Sequence, residues 1–451
     1  MGRGIMKKLS ILAGKGVLWL GDKLNRGSSL PGQVSKKIDK DIMKKIKLPK
    51  HVIAVTGSCG KGSTSKMIAE VYKKLGYKVA HNYREGNLEY GVLTALIEYS
   101  NLNGEMDADI LVLEVDERYT KIVFPILKPE VVVITNISRD QPPRQGHFDL
   151  VLEDIKRALT KDMHLILNAD DPYLQKLVLN ENYKTTYYSL DKTKQSTKVS
   201  LSGNLNITHC PKCGKKLDYD YYHFEAIGKF KCSKCSFKNP KSLYNGSKVN
   251  YEKRELMIND KYKVVFPFDT LYCVYNTLAA FTTLAHMKLD LNEISEAISN
   301  ISYKQKNFNT YTYKKRNVYV LNTKTENSST FNHALMFLNR NKGLKTVVLG
   351  WNVISLRYKY NDLSWLYDID FEILNKHEID RIICIGINRY DLATRLKYSG
   401  IDPKKIFVYE NLEKARGAIT KRTKGDIYAI INFNYMNDFN KMLREDDDKW
   451  K

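Results

Sequence analysis

Val52-Ile-Ala-Val-Thr-Gly-Ser-Cys-Gly-Lys-Gly-Ser-Thr64 decides the fold. It reads as an apolar strand from His51 to Thr56, a glycine turn, and a helix from about Ser63 to Leu75. Met67, Ile68, Val71 and Leu75 recur there at helical spacing. Glycines let the backbone bend so that successive N–H groups aim at one anion. The helix N-terminus adds the positive end of its dipole. In such a loop Gly57, Gly60 and Gly62 shape the turn, Lys61 reaches the terminal phosphates, and a nearby hydroxyl ligates Mg²⁺. The residue directly after the lysine is Gly62, so that hydroxyl is Ser63 or Thr64. Lys61→Ala is expected to abolish ATP hydrolysis and spare the fold, because the lysine acts on phosphate charge and not on the core.

Working outward, strand signals recur at Ile110–Val115, Val131–Thr135 and His164–Leu167, with helical stretches between them. That alternation predicts an α/β fold, a parallel sheet wrapped by helices. Residues 1–50 read as helical and basic with a turn at Pro31–Gly32. From about 186 to 265 the pattern breaks into a Tyr-, Lys- and Asn-rich stretch that reads as an insertion. Helical patterning returns at Tyr272–Met287 and Leu291–Ile298. A second, Rossmann-like α/β pattern follows, with strands at Asn317–Leu321, Thr346–Leu349, Arg381–Ile385, Lys405–Val408 and Ile427–Ile431. The expected division is an N-terminal helical segment at 1–50, a central nucleotide-binding domain at 51–305, and a C-terminal α/β domain at 306–451. There is no internal repeat.

The formal net charge of +23 fits an anionic partner or, since the lysines are spread along the whole chain, a lysine-rich host proteome. A hydrophobic share of 43% excludes a disordered chain. The run Ile11–Leu20 is too short to span a bilayer, is broken by Gly14, Lys15 and Gly16, and has no signal-peptidase site. Lys7, Lys8, Lys15, Lys23 and Arg26 flank it, so a peripheral membrane contact competes with simple packing on the next domain. Seven cysteines, an odd number with four in two C-x-x-C pairs, argue for a reducing, cytoplasmic setting and a metal rather than disulfides. Cys210-Pro-Lys-Cys213 and Cys232-Ser-Lys-Cys235 stand eighteen residues apart, the spacing of a zinc ribbon within about 205–240. Four protein thiolates leave no open position, which makes Zn²⁺ structural. Cys273 and Cys384 lie in apolar segments and read as core.

Three acidic or polar segments follow strands of the central sheet: Leu111-Val-Leu-Glu-Val-Asp-Glu117, Thr135-Asn-Ile-Ser-Arg-Asp-Gln141 and Leu167-Asn-Ala-Asp-Asp-Pro172. Carboxylates at the carboxyl edge of a parallel sheet sit where ligands bind, and Glu114 suits Mg²⁺, a hard cation. With the phosphate loop, their order resembles the central domain of Mur ligases. More narrowly it is similar to the MurT family, the ligase-like subunits of lipid II isoglutaminyl synthase. Leu30-Pro-Gly32, Glu114-Val-Asp-Glu117, Arg139-Asp-Gln141 and Asn168-Ala-Asp-Asp-Pro172 carry the likeness. So do Tyr275-Asn276, which opens the adenine-holding helix, and Asp362-Leu-Ser-Trp-Leu-Tyr-Asp-Ile-Asp-Phe-Glu372, with Arg389-Tyr-Asp391 and Arg395-Leu-Lys-Tyr398 beyond it. The family also carries a ribbon at this point, which argues against a nucleic-acid partner.

The resemblance implies ATP, Mg²⁺ and Zn²⁺, and amidation of the α-carboxylate of D-glutamate in lipid II at the inner membrane surface. Ammonia would come from a GatD-like glutaminase subunit, whose Cys-His pair Asp362 completes. Taken alone, Asp362 reads as a cap for a helix beginning near Ser364. Three places depart from the family. Its Phe-Gly-Arg segment is absent, the nearest text being Asn307-Phe308-Asn309. Its Lys-Asn-Pro-Ala-Gly-Phe-Asn turn reads Glu326-Asn-Ser-Ser-Thr-Phe-Asn332, and Pro142-Pro143 replaces Leu-Asp. Two alternatives stand beside this reading: a folylpolyglutamate synthetase-like ligase, favoured only by Lys61-Gly-Ser63, and a weakened nucleotide-binding zinc-ribbon scaffold, favoured by the charge and by the departures in the last domain.

Overall fold

A computed structural model describes residues 3–23, 28–84, 86–138, 146–200, 205–302, 308–323, 327–338, 342–351 and 362–446. Arg26, Arg139-Asp-Gln141, Pro142-Pro143, Asn307 and Glu326 lie outside the described residues. The chain forms two compact units. The first comprises Met1–Ser138, Asp149–Ser200 and Asn206–Ser302; the second is mainly Tyr303–Lys451.

The first unit is built on β1 (His51–Thr56), β2 (Val79–His81), β3 (Ile110–Glu114), β4 (Val131–Ile134), β5 (His164–Asn168) and β6 (Lys184–Leu190). With β9 (Tyr244–Asn250), β10 (Glu255–Ile258) and β11 (Tyr262–Val265) they form nine strands in the order β11-β10-β9-β6-β5-β4-β1-β3-β2. All pairings are parallel except those of β10 with β9 and β11. β3 and β4 are near-continuous apolar runs because helices cover both faces of a parallel sheet. The chain leaves β1 toward β2 and β3 on one side and later β4 on the other. That reversal of direction makes the carboxyl end of β1 the switch-point crevice where such sheets bind ligands.

Two expectations need correction. Pro31 and Gly32 do not form a turn; they open the helix Leu30–Ile38. Proline suits a first helical turn, where its missing N–H is not needed. A Cβ on Gly32 would stand 2.1 Å from the Tyr90 carbonyl, so glycine lets this helix touch the helix Glu89–Glu98. The insertion is also shorter than 186–265. β6 and β9–β11 belong to the main sheet, and only the chain between Leu190 and Tyr244 leaves it. Those strands are polar and half-exposed, at one edge of the sheet, so their apolar signal was weak.

That excursion holds an antiparallel hairpin of β7 (Leu217–Phe224) and β8 (Ile227–Cys232), with further bridges from Tyr222 to Thr197 and from Lys231 to Lys238. Among the described residues the second unit has six strands: β12 (Phe308–Tyr313), β13 (Arg316–Thr323), β14 (Lys345–Trp351), β15 (Ile379–Gly386), β16 (Ile406–Tyr409) and β17 (Asp426–Asn432). Their order is β12-β13-β17-β14-β15-β16, all parallel but β12. Side chains alternate between two cores: Val347 and Leu349 face one, Val348 the other.

Candidate active site

The glycine loop follows β1 and runs into the helix Lys61–Lys74. Gly57 has φ +124°, and a Cβ there would meet Thr135 Oγ1 at 2.3 Å. Gly60 has φ +83°, and a Cβ would meet Asn276 Oδ1 at 2.2 Å. A Cβ on Gly62 would stand 2.9 Å from Glu114 Oε2. The usual hydroxyl residue after the lysine is therefore replaced by glycine where Glu114 lies over the first helical turn. A carboxylate is favourable at that helix N-terminus.

The end of β4 holds the loop in shape. Asn136 accepts from the Cys59 N–H at 3.0 Å and donates to the Cys59 carbonyl at 2.8 Å. Thr135 Oγ1 donates to the same carbonyl at 2.7 Å. Ser58 Oγ donates to the Ser138 carbonyl at 3.0 Å and accepts from its N–H at 2.9 Å. Glu114 is oriented through Asn87 Nδ2, 2.8 Å from its Oε1, and its backbone is clamped by the Asn82 amide at both ends.

Lys61 Nζ lies 3.3 Å from Glu117 Oε2, with side chains only 6% and 1% exposed. This pair changes one expectation. Removing the lysine alone takes a buried cation from a buried carboxylate, which destabilises by a few kcal/mol. Lys61→Ala therefore does not leave the fold unburdened. Ser63 is exposed, whereas Thr64 is buried and its hydroxyl has no hydrogen-bond partner.

Helix Leu271–His286 packs against the helix Lys61–Lys74, which brings Asn276 to Gly60. Gly57, Gly60, Lys61, Gly62, Ser63, Thr64, Glu114 and Asn276 thus converge in the first unit. Glu117, Asn136, Asn82 and Asn87 belong to the same site and were not singled out from the sequence. Glu117 and Asn136 lay within quoted motifs; Asn82 and Asn87 stand in a loop with no local signal.

Asp170 and Asp171 are buried, and burial pushes both carboxyls up to about 7 against the pull of their hydrogen bonds. Asp171 caps the helix Pro172–Leu177. Asp170 accepts from the Leu190 N–H at 2.7 Å, from Asn239 Nδ2 at 3.0 Å and from Tyr275 OH at 3.0 Å. It ties together the sheet, the excursion and the Asn276 helix. Burial pushes the Cys273 thiol up to about 12 and raises the Cys384 thiol, so both stay protonated core residues.

The Sγ atoms of Cys210, Cys213, Cys232 and Cys235 all lie within 4.8 Å of one another. Cys210 and Cys235 are 3.5 Å apart and Cys213 and Cys232 3.4 Å, too far for disulfides. Tetrahedral zinc with bonds of about 2.3 Å places its sulfurs roughly 3.8 Å apart, so the thiols fit such an ion. N–H groups of Lys212 and Lys234 donate to Cys210 and Cys232 Sγ at 3.4 Å. Gly214, φ +73°, closes the first knuckle.

Asp362 belongs to the second unit. Its Oδ1 accepts from the Ser364 N–H at 2.8 Å at the start of the short 3₁₀ turn Ser364–Asp368. The following segment is pinned. Arg395 donates to the carbonyls of Leu366 and Ile369 at 3.2 and 2.9 Å and pairs with Glu372 at 3.0 Å. Asn332 bridges the Asp368 carbonyl and the Asp370 N–H at 3.1 and 2.8 Å. Trp365 is buried against Trp351 and Phe331.

Residues 55–232 match the Mur ligase middle domain, and residues 323–436 match the MurT ligase C-terminal domain. The chain is 31% identical over 412 residues to the lipid II isoglutaminyl synthase (glutamine-hydrolyzing) subunit MurT of Staphylococcus aureus strain COL, covering 90% of this chain and 91% of that one. The subunit of the same name from Streptococcus pneumoniae R6 is 25% identical over 453 residues, 96% of each chain. A pseudomurein peptide ligase type C from Methanothermus fervidus shares the fold, with a TM-score of 0.67 and 22% identity over 90% of this chain and 81% of that one.

The cysteine cluster predicts one thiolate-bound metal ion per chain. Cys213→Ser should release it and raise amide hydrogen exchange between residues 206 and 239 while the sheet strands keep their protection. Elemental analysis finding no metal in the parent protein would contradict this.

Proposed function

The chain belongs to the MurT family and is an ATP-dependent carbon–nitrogen ligase, and from that premise we propose that it amidates the α-carboxylate of D-glutamate in the stem peptide of lipid II, giving D-isoglutamine. A carboxylate is a poor electrophile. Its oxygen attacks the γ-phosphorus of ATP, ADP leaves, and an acyl phosphate forms. Ammonia then adds at the acyl carbon, the C–O bond to phosphate breaks, and a proton is lost as the amide forms.

The observation that carries this reading is the convergence of the glycine loop, Lys61 and Glu114 on one helix N-terminus. The loop N–H groups and Lys61 neutralise charge growing on the transferring phosphoryl. Mg²⁺, when bound, draws charge off the phosphate oxygens, and Glu114 with Ser63 or Thr64 would hold it. Cys210, Cys213, Cys232 and Cys235 hold structural Zn²⁺ in this reading. We assign the chain's parts as first set out: residues 1–50 as a helical lead, 51–305 as the ATP-binding domain and 306–451 as the C-terminal domain.

Ammonia comes from a GatD-like glutaminase subunit, as the glutamine-hydrolysing name of the relatives suggests. Asp362 is assigned to that partner's Cys-His pair, where a carboxylate fixes the imidazole tautomer. Its position beside a segment held by Arg395, Asn332 and Trp365 supports this, because a triad carboxylate must not drift.

Work on lipid II takes place at the inner face of the membrane. Among the described residues no helix is long and apolar enough to cross a membrane. The helix Arg3–Lys23 buries Ser10, Ile11 and Leu18 but exposes Ile5, Leu9, Leu12, Trp19 and Leu20, with Lys8 and Lys23 alongside. An apolar stripe edged by lysine is suited to an anionic bilayer surface, and there the chain docks.

Three outcomes test these assignments. The double variant Lys61→Ala/Glu117→Gln leaves no uncompensated buried charge and should still lose ATP hydrolysis by a factor on the order of 10² or more; turnover equal to the parent's would remove the phosphate-loop assignment. Asp362→Asn keeps an acceptor for Ser364 N–H. It should cut glutamine-driven amidation by on the order of 10⁴ while ammonium-driven amidation continues. Loss of both routes together would instead assign Asp362 to the ligase site. Leu9→Glu/Leu12→Glu should reduce co-sedimentation with phosphatidylglycerol vesicles by about tenfold. Parent protein that stays in the supernatant would sink the docking reading.

A further inference from the structure

The carboxylate read as an Mg²⁺ ligand is held from outside the phosphate loop. Glu114 ends β3, and the chain that crosses from β2 to the helix Glu89–Glu98 grips it twice. Asn82 accepts from the Glu114 N–H and donates to its carbonyl, both at 2.8 Å, and Asn87 Nδ2 donates to its Oε1 at 2.8 Å. The crossing also braces itself. Asn82 Nδ2 donates to the Gly86 carbonyl at 2.9 Å, and the Asn87 carbonyl accepts from the Asp116 N–H at 2.9 Å. The place of Glu114 therefore depends on where this crossing is fixed.

Arg84 lies between the two asparagines in the chain and ties the crossing to two helices. Its Nε and Nη2 donate to the Glu98 carboxylate at 3.3 and 3.1 Å, and Tyr83 OH donates to the same carboxylate at 2.9 Å. Its Nη1 and Nη2 pair with the two oxygens of Asp22, Nη2 at 3.2 Å. Glu98 ends the helix Glu89–Glu98, and Asp22 lies in the last turn of the helix Arg3–Lys23. Both helices are themselves fixed. Ser10 and Ser35 each donate to the other's carbonyl at 2.9 Å, which seats the N-terminal helix on the helix Leu30–Ile38. Lys15 Nζ donates to the Glu98 carbonyl at 3.0 Å, and a Cβ on Gly14 would stand 3.1 Å from Ile97 Cγ2, so the N-terminal helix also lies on the helix that carries Glu98.

We propose that Arg84 is a positioning residue for Glu114 and that Asp22 completes its grip, so that the N-terminal helix sets the affinity of the phosphate site for its divalent cation. The inference rests on the reading of Glu114 as an Mg²⁺ ligand. An exposed ion pair taken singly adds little stability, and Asp22 is half-exposed. The contribution of this one is geometric. A planar guanidinium serves two carboxylates at fixed angles, so one residue holds the crossing to both helices at once. Mg²⁺ tolerates little error, because it demands near-octahedral oxygens at about 2.0–2.1 Å. A crossing that drifts carries Asn82 and Asn87 with it and takes Glu114 out of that geometry. The glycine loop keeps its shape meanwhile, because Thr135, Asn136 and Ser138 staple it from another strand.

The test is the affinity of Mn²⁺, which takes the same oxygen ligands, for full-length protein saturated with a non-hydrolysable ATP analogue, read by water-proton relaxation. Arg84→Met keeps the apolar stem and removes the fork; Asp22→Ala removes only the share of the N-terminal helix. Losing a group that touches a metal ligand, as Asn87 does, costs about 10–100-fold in metal affinity. Arg84 stands one step further out, so Arg84→Met should raise the Mn²⁺ dissociation constant about fivefold. Asp22→Ala should raise it about twofold to threefold, and the double variant should match Arg84→Met alone, because Asp22 acts only through the guanidinium. A pair that serves only stability would lower the melting temperature and leave Mn²⁺ affinity at the parent level, and that result overturns the proposal, as do additive losses in the double variant. Should Arg84→Met fail to fold, parent-like Mn²⁺ affinity in Asp22→Ala overturns it alone. Glu114→Gln protein that binds Mn²⁺ like the parent would instead overturn the reading of Glu114 beneath it.

Discussion

Backbone exposure at the carboxyl end of β1 is the constraint on which the rest of the site depends. An anion can be gripped by N–H groups only where side chains do not cover them. In this loop Gly57, Gly60 and Gly62 remove that cover, and the space is used by three different elements. Thr135 and Asn136 come from the end of β4, Asn276 from the helix Leu271–His286, and Glu114 from the end of β3. At Gly57 and Gly60, both at positive φ, a Cβ would collide with Thr135 and Asn276, and at Gly62 it would push the Glu114 carboxylate aside. The glycines thus serve less as flexible joints than as sockets. Their positive φ at 57 and 60 and the crowding at all three positions specify one loop shape before any ligand arrives.

That constraint explains which parts were legible in the sequence. A strand, a glycine turn and a helix follow from local chemistry, so β1, the phosphate loop and the helix Lys61–Lys74 are readable directly. β3, β4 and β5 are readable because buried parallel strands are continuous apolar runs. The strands at one edge, β9 to β11, read as insertion in the sequence because half-exposed edge strands carry tyrosine, lysine and asparagine. The four-cysteine spacing specifies its own geometry. In contrast, the partnership of Lys61 with Glu117 spans fifty-six residues and two strands, and no periodicity encodes it. Asn82 and Asn87 become visible only when β2 is placed beside β3.

In the second unit order is achieved differently. The stretch Asp362–Glu372 has little regular secondary structure, only short 3₁₀ turns. Its backbone carbonyls would be costly to bury without donors. Arg395 supplies those donors to Leu366 and Ile369 and balances its own charge on Glu372, while Trp365 fills the core below. An arginine is suited to this because its planar fork serves several acceptors at fixed angles. Asp362 therefore stands at the start of a segment that is irregular yet held. The sequence likeness of Asp362–Glu372 and Arg395 to one family reflects two parts of one bracket.

The same economy governs Asp170. A buried carboxylate raised to about 7 is an expensive group, and simple helix capping already falls to its neighbour Asp171. What Asp170 adds is a common acceptor for Leu190 at the point where the chain departs the sheet, Asn239 where it returns, and Tyr275 one residue before Asn276. Removing any donor leaves the buried Asp170 carboxyl under-compensated, so the three elements are coupled more strongly than their separate contacts imply. An excursion tethered at both its exit and its re-entry, and to the helix that touches Gly60, cannot shift without moving the residues around the phosphate loop. The ribbon is thus attached to the carboxyl edge of the sheet at its base through Asp170 as well as at its tip through Phe224, whose ring lies 4.6 Å from that of Tyr272. An insertion that served only as surface decoration would need neither attachment.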